Sequence, residues 1–408
     1  MDRVAFSIFG IDIMWYGILI SLGVILGYIV AVKLAKLENI LENTILDILV
    51  WALPLAIVGA RAYYVIFEWD YYSKNLGEII DIRGGGLAIY GGIIAAVTTC
   101  YVICKKKTVD VIIPVSYPDE KLQKILDRLE KQTHPVERII VINTDEAGFP
   151  KNLRWPANME VYHIAPEEFD HGATRDMAAR KSTADLMLFM TQDAVPADTH
   201  LVEYLAKAFD DPLVAAAYAR QLAKKTDSAI ERFTRNFNYP AESRVKTQAD
   251  IQALGIKTYF CSNSCAMYRK STYEELGGFL PEAIFNEDMV FASTAINAGY
   301  SVAYVAEARV IHSHNYTGFQ QFQRNFDNGV SHADNQEAFH NVETLGEGKR
   351  LVFDTARYLI RHHEFGQLFR LVYISGCKVV GYKLGEKYYK LPKKLISFCT
   401  MNKKYWQE

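Results

Sequence analysis

The segment "LMLFMTQDAVPAD" (186–198) is an apolar run that ends in the polar residues Thr191, Gln192 and Asp193. An aspartate at the end of a buried strand can start a turn or cap a helix. It can also face a cleft at the carboxyl end of a sheet strand, where open α/β folds bind ligands. In such a cleft it could bind a hard divalent cation, which prefers oxygen ligands. The segment alone leaves both interpretations open.

Similar polar groups stand at the ends of other predicted elements. Asp145 closes the run "ERIIVINTD", and Glu287 and Asp288 begin a predicted helix in "FNEDMVFASTAINAGY". Acids at a helix start complement the helix dipole, which accounts for one carboxylate better than for a pair. His312 and His314 occupy alternate positions of an extended segment, so their side chains point to the same side. A solvent-exposed polar strand end is the alternative interpretation of the two histidines.

A sheet would have to position these residues, and the chain after Thr108 predicts one. Apolar runs at 109–115, 137–145, 158–165 and 185–193 are typical of strands, and 118–132 and 174–184 of helices. The segment "SVAYVAEARVIHSHNYT" is interpreted as a strand pair. Strands that alternate with helices indicate βαβ units, so we expect an α/β fold with a largely parallel sheet.

The first hundred residues predict a different environment. Three apolar segments, 11–32, 45–67 and 86–104, approach the length of about 20 residues that a membrane-spanning helix needs. Lysines follow the first segment at 33 and 36 and the third at 105–107. The positive-inside rule therefore predicts that the chain after Lys107 is cytoplasmic. Arg61, inside the second segment, is either a functional residue or a paired structural arginine.

The composition excludes few functions, but its local contrasts suggest three regions. The net charge of −2 gives no indication of nucleic-acid binding, and six cysteines without a CxxC pair indicate reduced thiols in a cytosolic compartment. After about residue 345, apolar and aromatic residues mix with many Lys and Arg. This pattern predicts helices that lie on an anionic membrane or pack against the preceding domain. We expect domains at 1–107, 108–345 and 346–408.

The first region resembles the amino-terminal part of prolipoprotein diacylglyceryl transferase over roughly residues 5–104. The resemblance lies in "WYGILISLGVILGY", "GARAYYVIFEWDYY" and "GGGLAIYGGIIA". This chain has Tyr90 where the family usually has a histidine, and the later spans of the family are absent. We therefore interpret the region as a membrane anchor, with diacylglyceryl transfer as the alternative.

Residues 108 to about 345 resemble a family 2 glycosyltransferase with the GT-A fold, specifically the bacterial rhamnosyltransferases. The GT-A fold implies a Rossmann-like sheet that is mixed and largely parallel. The matching motifs are "VDVIIPV", "INTD", "FDHGATRDMAA", "FMTQDAVPAD", "TYFCSNSCAMYRKSTYEELGGF", "IFNEDMVFA" and "VIHSHNYT". In this resemblance Thr191-Gln192-Asp193 occupies the place of the D-x-D motif, with Thr191 in place of its first acid.

The resemblance implies a role for each polar group. Asp193 would bind Mn²⁺ or Mg²⁺ together with His312 or His314, and Asp288 would be the general base, with Glu287 as the weaker candidate. The residues implied in binding the nucleotide-sugar donor are Pro114, Val115, Asp145, Arg175, Asp176, Thr191 and Gln192. A surface position on a helix is the alternative for Arg175.

The resemblances together imply an inverting, metal-dependent glycosyltransferase in the bacterial cell membrane, with several spans and a cytoplasmic catalytic domain. Its donor would be dTDP-rhamnose, and its acceptor a cell-surface polysaccharide or a polyprenyl-linked glycan. Two alternatives remain, a lipid transferase that acts on prolipoproteins and a non-catalytic membrane scaffold.

Overall fold

The computed structural model describes residues 4–8, 11–37, 42–82, 85–104, 107–150, 153–339 and 345–406. The chain divides into two compact units, Met1–Lys106 and Lys107–Glu408. Lys105 and Lys106, on which the predicted orientation partly depends, lie outside the described residues.

The first unit is mainly helical. An antiparallel pair of strands, β1 (Val4–Ile8) and β2 (Ile11–Met14), precedes four helices. These are α1 (Trp15–Leu37), α2 (Glu42–Phe67), α3 (Trp69–Tyr72) and α4 (Ile89–Cys104). By length and composition two segments could cross a membrane, Gly17–Ala35 and Ile48–Phe67. The predicted third span is a shorter apolar helix of 16 residues, about 24 Å long at 1.5 Å per residue. Two of the three predicted spans are therefore supported among the described residues, and the third stays a prediction.

Arg61 supports the loop before α4. Its guanidinium donates to the carbonyl oxygens of Glu78 (2.6 Å), Ile79 (2.9 Å), Gly85 (2.9 Å) and Gly86 (3.0 Å). The side chain is buried, and these bonds satisfy it with backbone acceptors. Of the two interpretations of Arg61, the contacts favour the structural one.

The second unit is built on a mixed nine-stranded sheet. Its strands are β3 (Val109–Val115), β4 (Arg138–Asn143), β5 (Met159–His163), β6 (Leu186–Met190), β7 (Val195–Pro196), β8 (Val214–Leu222), β9 (Arg244–Lys246), β10 (Cys265–Arg269) and β11 (Ser301–Ile311). Their order is β5-β4-β3-β6-β10-β8-β11-β7, and β9 pairs with β11. The pairs among β5, β4, β3 and β6 are parallel, as is β8 with β11. β10, β7 and β9 pair antiparallel, so the sheet is mixed as expected, but only four of its eight strand pairs are parallel.

Helices cover both faces of this sheet. They are α5 (Glu120–Leu129), α6 (His171–Lys181), α7 (Leu201–Lys207), α8 (Ala229–Asn238), α9 (Ile251–Leu254), α10 (Lys270–Glu275), α11 (Glu287–Asn297), α12 (Gly318–Asp334) and α13 (Gln336–Phe339). One core packs α5 and α7 on alternate residues of β3 and β6, and the other packs α6 and α11 on the opposite face. The alternation follows from the two-residue period of a strand. The predicted strand pair near 301–317 is instead one eleven-residue strand, β11.

Three further helices, α14 (Leu345–Arg361), α15 (Gly366–Gly385) and α16 (Lys393–Cys399), end the chain. α15 lies against α12 at glycine contacts: a Cβ on Gly381 would stand 2.2 Å from the carbonyl oxygen of Phe322. A Cβ on Gly329 would likewise stand 2.3 Å from that of Tyr382. The basic tail thus packs against the helix that follows the sheet, which was one of its two predicted environments.

Candidate active site

The ends of several strands meet at one edge of the sheet. β6, β8 and β11 run in the same direction and end at this edge, whereas antiparallel β10 begins there. Asp193 follows β6, and His312 and His314 follow β11. The edge therefore collects residues from distant parts of the chain.

Asp193, His312 and His314 form one cluster, in which a ligand atom of each lies within 4.8 Å of the others. The Nε2 atoms of His312 and His314 lie 3.4 and 3.5 Å from the Asp193 carboxylate oxygens. The two Nε2 atoms are 3.1 Å apart. One carboxylate and two imidazoles that converge in this way could bind a divalent cation, and nitrogen ligands suit Mn²⁺ better than Mg²⁺.

The orientation of the His312 ring is determined by Gln221. The Gln221 Oε1 accepts a hydrogen bond from Arg235, and because a guanidinium can only donate, the amide of Gln221 must present its oxygen on this side. The Nδ1 atom of His312 lies 3.0 Å from the same oxygen and must therefore donate to it. This bond leaves Nε2 directed at Asp193 and His314, which is the arrangement that a metal-binding histidine needs.

Asp227 holds the segment between the histidines on its other side. Its buried carboxylate accepts hydrogen bonds from Ser313 Oγ (2.5 Å) and Asn315 Nδ2 (3.0 Å). Residues 312 to 315 thus alternate between the cluster and Asp227, as the two-residue period of extended backbone requires.

The electrostatics of the cluster favour ligand forms of these side chains. Burial opposes ionisation of Asp193, but the hydrogen bond and charge of His312, with the charge of His314, hold its pKa well below the usual range. Burial and the charge of His312 lower the pKa of His314 to about 4. At neutral pH the carboxylate is therefore ionised and the His314 ring is neutral.

Glu287 and Asp288 form the second polar group of the edge, at the start of α11. Asn286 precedes them with φ 65°, a left-handed conformation that asparagine tolerates. The backbone N–H of Asn263 donates to Asp288 Oδ2 at 2.7 Å, and the Asn263 side chain donates to Glu287 Oε1 at 3.0 Å. Tyr268 donates to Asn263 Oδ1 at 2.8 Å and so orients its amide.

Arg175 is one reason why the pKa values of Glu287 and Asp288 shift in opposite directions. It is buried and lies 3.0 Å from Glu287 Oε1, so the surface alternative for Arg175 is wrong. Burial alone would raise the pKa of Glu287, but the Arg175 guanidinium outweighs it and lowers that pKa. Burial and the charge of Glu287 raise the pKa of the half-buried Asp288 to about 7. Two neighbouring carboxylates with pKa values that move apart are typical of an acid–base site.

A single segment, 262–264, connects the two groups. Ser262 Oγ accepts from Gln221, the residue that orients His312, at 2.9 Å. Asn263 contacts both acids, and the carbonyl of Ser264 accepts from the Thr191 N–H at 3.2 Å. The cluster and the acidic pair therefore share one edge and one support.

Arg324, on α12, lies beside both groups and was missed from the sequence. Its guanidinium stands 4.5 Å from the ring centre of Phe285 and 5.8 Å from that of Tyr316. Phe285 precedes the acidic segment, whereas Tyr316 stacks on His314 with ring centres 5.0 Å apart. Within the described part of the chain, no carboxylate pairs with Arg324.

The residues predicted to bind the nucleotide-sugar donor do not all present their side chains to the same site. Val115 is buried in the core, so only its backbone could reach a ligand, and its carbonyl accepts from Thr144 at 3.0 Å. Pro114 precedes it and is half-buried. The Gln192 amide makes two bonds with the backbone of Ser116, of 3.0 and 2.8 Å, which join the ends of β3 and β6.

Two of the residues predicted to bind the nucleotide-sugar donor, Asp145 and Asp176, form hydrogen bonds outside the cluster and the acidic pair. Asp145 closes a turn by accepting from the Gly148 N–H at 3.0 Å. Asp176 accepts from Arg180 at 2.8 Å and from Tyr273 at 3.1 Å, beside a cavity of about 280 Å³. The structure therefore brings Arg175 to the acidic pair but directs Asp176 to a different group.

Sequence reasoning also missed Gln221, Asp227 and Asn263. They are uncharged or lie in segments without a distinctive spacing, such as "KKTDSAIERF" around Asp227. Only their contacts across the sheet edge identify them.

The second unit is similar to known glycosyltransferases. The family model for glycosyl transferase family 2 matches residues 110–277. The chain is 40% identical over 306 residues to the O-antigen chain rhamnosyltransferase RfbN of Salmonella typhimurium, which covers 73% of this chain and 96% of that protein. A second relative, WbaN of Salmonella anatum, is 40% identical over 281 residues, 68% of this chain and 88% of its own. A solved mannosyltransferase from Pyrobaculum calidifontis, in complex with GDP-Man and Mn²⁺, covers 71% of this chain and 89% of its own, with 13% identity and a TM-score of 0.48.

The first unit is similar to a different protein family. The family model for prolipoprotein diacylglyceryl transferase matches residues 3–117. The phosphatidylglycerol–prolipoprotein diacylglyceryl transferase of Finegoldia magna is 67% identical over 168 residues, which are 41% of this chain. The chain spans only 64% of the length of that relative. This match and the two candidate spans indicate association with a membrane.

Proposed function

The chain belongs to the rhamnosyltransferase-like members of glycosyltransferase family 2, and on this premise we propose that it transfers rhamnose from dTDP-rhamnose, with inversion, to a glycan acceptor. The observation that carries the proposal is the shared support at 262–264, which joins the ligand cluster to the acidic pair. A donor between them would have its diphosphate near the first group and its reacting carbon near the second.

In this proposal Asp193, His312 and His314 hold a divalent cation. A cation bound there would stabilise the negative charge that develops on the diphosphate leaving group. Gln221 and Asp227 keep the two imidazoles directed at Asp193. The two nitrogen ligands favour Mn²⁺ as the ion.

Asp288 takes the proton from the acceptor hydroxyl as that oxygen attacks the sugar. Its raised pKa suits a base that works near neutral pH, because a base is most effective when its pKa is close to the operating pH. Glu287 remains ionised beside Arg175 and keeps the pKa of Asp288 high. Glu287 is therefore a positioning residue that raises the pKa of Asp288, and Asp288 is the stronger candidate for the base.

Arg324 adds a positive charge to the cleft between the two groups. Its planar fork of donors suits a phosphate, and no acid neutralises it within the described residues. We assign it to the donor diphosphate, together with the backbone of the loop after β3. Thr191, which replaces an acid, would offer a hydroxyl to the donor sugar or ribose.

The first unit would anchor the enzyme, with the catalytic unit on the cytoplasmic side. The acceptor would then be a polyprenyl-linked glycan or a growing cell-surface polysaccharide. Diacylglyceryl transfer stays the alternative for the first unit, although the bonds of Arg61 to backbone carbonyls favour a structural role for that residue.

The experiment that tests the function is a panel of nucleotide sugars, in which binding is followed by thermal shift and turnover by release of the nucleotide diphosphate. At a concentration of 100 times Kd, a donor should stabilise the protein by about 2.7 kcal/mol. We expect the largest shift and Mn²⁺-dependent turnover with dTDP-rhamnose. A larger shift with another sugar would refute rhamnose, and binding without turnover would favour the scaffold.

A further inference from the structure

The helix α15 has one face that is fixed against the rest of the second unit. Cβ atoms on Gly381 and Gly385 would stand 2.2 and 2.0 Å from the carbonyl oxygens of Phe322 and Phe326, so the glycine face of α15 packs directly on the backbone of α12. Leu371 is buried on the same side. The side chains on the opposite side of α15 therefore point away from α12.

That opposite face is apolar and exposed. Phe369, Val372, Val379 and Val380, which we call the α15 face, are exposed to 85%, 70%, 60% and 52%. Phe369, Val372 and Val379 are three and seven residues apart and Val380 adjoins Val379, so all four lie on one side of the helix. A contiguous apolar stripe on a surface indicates a partner that removes it from water.

The surroundings of this face carry a strong positive charge. Residues 366–406 contain nine Lys or Arg and a single acid, Glu386, although the whole chain carries 45 basic and 47 acidic residues. Glu386 is itself paired with Lys383 at 2.6 Å. The segment after α15 adds four exposed lysines, at 387, 390, 393 and 394. Two exposed aromatic residues, Tyr389 and Phe398, lie in the same segment.

We propose that the α15 face and the basic residues after it dock on an anionic phospholipid surface. Apolar side chains would enter the boundary between headgroups and acyl chains, and the lysines would contact the phosphates. A second copy of the chain is a poor occupant, because a two-fold interface would bring two positive surfaces together. The proposal goes beyond the transferase reaction and does not depend on which sugar is transferred.

Docking would also affect the cleft. The helix that supports α15 is α12, which also carries Arg324 beside the cluster and the acidic pair. A lipid surface that contacts α15 would therefore be linked to the proposed donor site through a single helix, α12. An acceptor carried on a lipid would reach the enzyme at such a surface.

The test uses the full chain, reconstituted in bilayers of phosphatidylglycerol and phosphatidylcholine or of phosphatidylcholine alone. The photocrosslinker p-benzoylphenylalanine replaces Phe369 in one variant. In the matched control it replaces Trp155, an aromatic residue between β4 and β5 that is 48% exposed. Both side chains are exposed, and the benzophenone at position 155 keeps an aromatic group beside Phe149, whose ring centre lies 5.8 Å from that of Trp155. After irradiation, mass spectrometry identifies the adducts.

We expect phospholipid adducts at position 369, on the order of tenfold more abundant with phosphatidylglycerol than without it, and few at position 155. Adducts to another copy, or to the first hundred residues of the same chain, would overturn the proposal. Equal lipid adducts at the two positions, or equal yields in both bilayers, would overturn it too. Turnover of dTDP-rhamnose is measured separately, so a failure of the proposed function would not be mistaken for a failure of docking.

Discussion

The rate of sugar transfer should depend on pH through Asp288, and Glu287 should set the position of that dependence. A general base must be ionised, and a carboxylate with a pKa of about 7 loses its charge as the pH falls. At pH 6, one unit below this value, about a tenth of Asp288 would be ionised, so the rate should fall to about a tenth of its plateau. The fall has slope one because a single proton is involved.

Glu287→Gln removes one of the two causes of the raised pKa. Burial is the larger cause and remains, whereas the negative charge beside Asp288 is lost and Arg175 is freed to act on it. The acid limb of the pH profile should therefore move to lower pH without reaching the value of an exposed aspartate. In Asp288→Asn the plateau rate should fall by about 10²–10⁴ and the acid limb should disappear, since no base is left.

The assay measures release of dTDP from pH 5 to 9 with saturating donor and Mn²⁺, and thermal unfolding checks that each variant is folded. Of the ligand cluster, His314 has a pKa of about 4 and the pKa of Asp193 is held below its usual range, so neither group titrates near pH 7. A flat profile from pH 5 to 8 in the unmodified protein would refute Asp288 as the base. An unchanged limb in Glu287→Gln would refute the electrostatic coupling.

Three further predictions concern the cation, its support and the packing of the tail. Asp193→Asn should abolish Mn²⁺ binding, measured by electron paramagnetic resonance, and unchanged affinity would exclude Asp193 as a ligand. Asp227→Asn should weaken Mn²⁺ binding by about 10–100-fold, because the support of the histidines is lost while all ligands remain; an effect on stability alone would contradict this role. Gly381→Ala should cost about 1–3 kcal/mol in the free energy of unfolding, since the new Cβ meets the backbone of Phe322. Gly376→Ala, with open space around its Cα, is the matched control and should be neutral or stabilising by up to about 1 kcal/mol.

Much of the second unit could be predicted because local patterns decide it. β3 was predicted at its observed bounds, and α5 within the predicted range, because a continuous apolar run and an amphipathic period are properties of short segments. The shared side of His312 and His314 followed from the strand period in the same way. Asp193 could be placed at a strand end, and the choice between a turn and a ligand cleft depended on residues more than a hundred positions away.

The errors arose where distant contacts override a local pattern. The third apolar segment was counted from residue 86, but Gly85 and Gly86 have φ values of 94° and 75° and accept hydrogen bonds from Arg61. The helix therefore begins only at Ile89 and is shorter than predicted. Arg175 was given a surface alternative because a short helix does not reveal which of its faces will meet Glu287.

β10 was not predicted as a strand, and its direction has the greatest consequence for function. Its five residues, Cys265–Arg269, have no feature that distinguishes a parallel from an antiparallel strand. Because β10 runs antiparallel between β6 and β8, its amino end lies where those strands end. Segment 262–264 is thereby brought to the edge that holds Asp193, and the N–H of Asn263 reaches Asp288. A parallel β10 would place this segment at the opposite edge and would separate the base from the ligand cluster. The antiparallel strand is therefore what makes two unremarkable sequence motifs into one site.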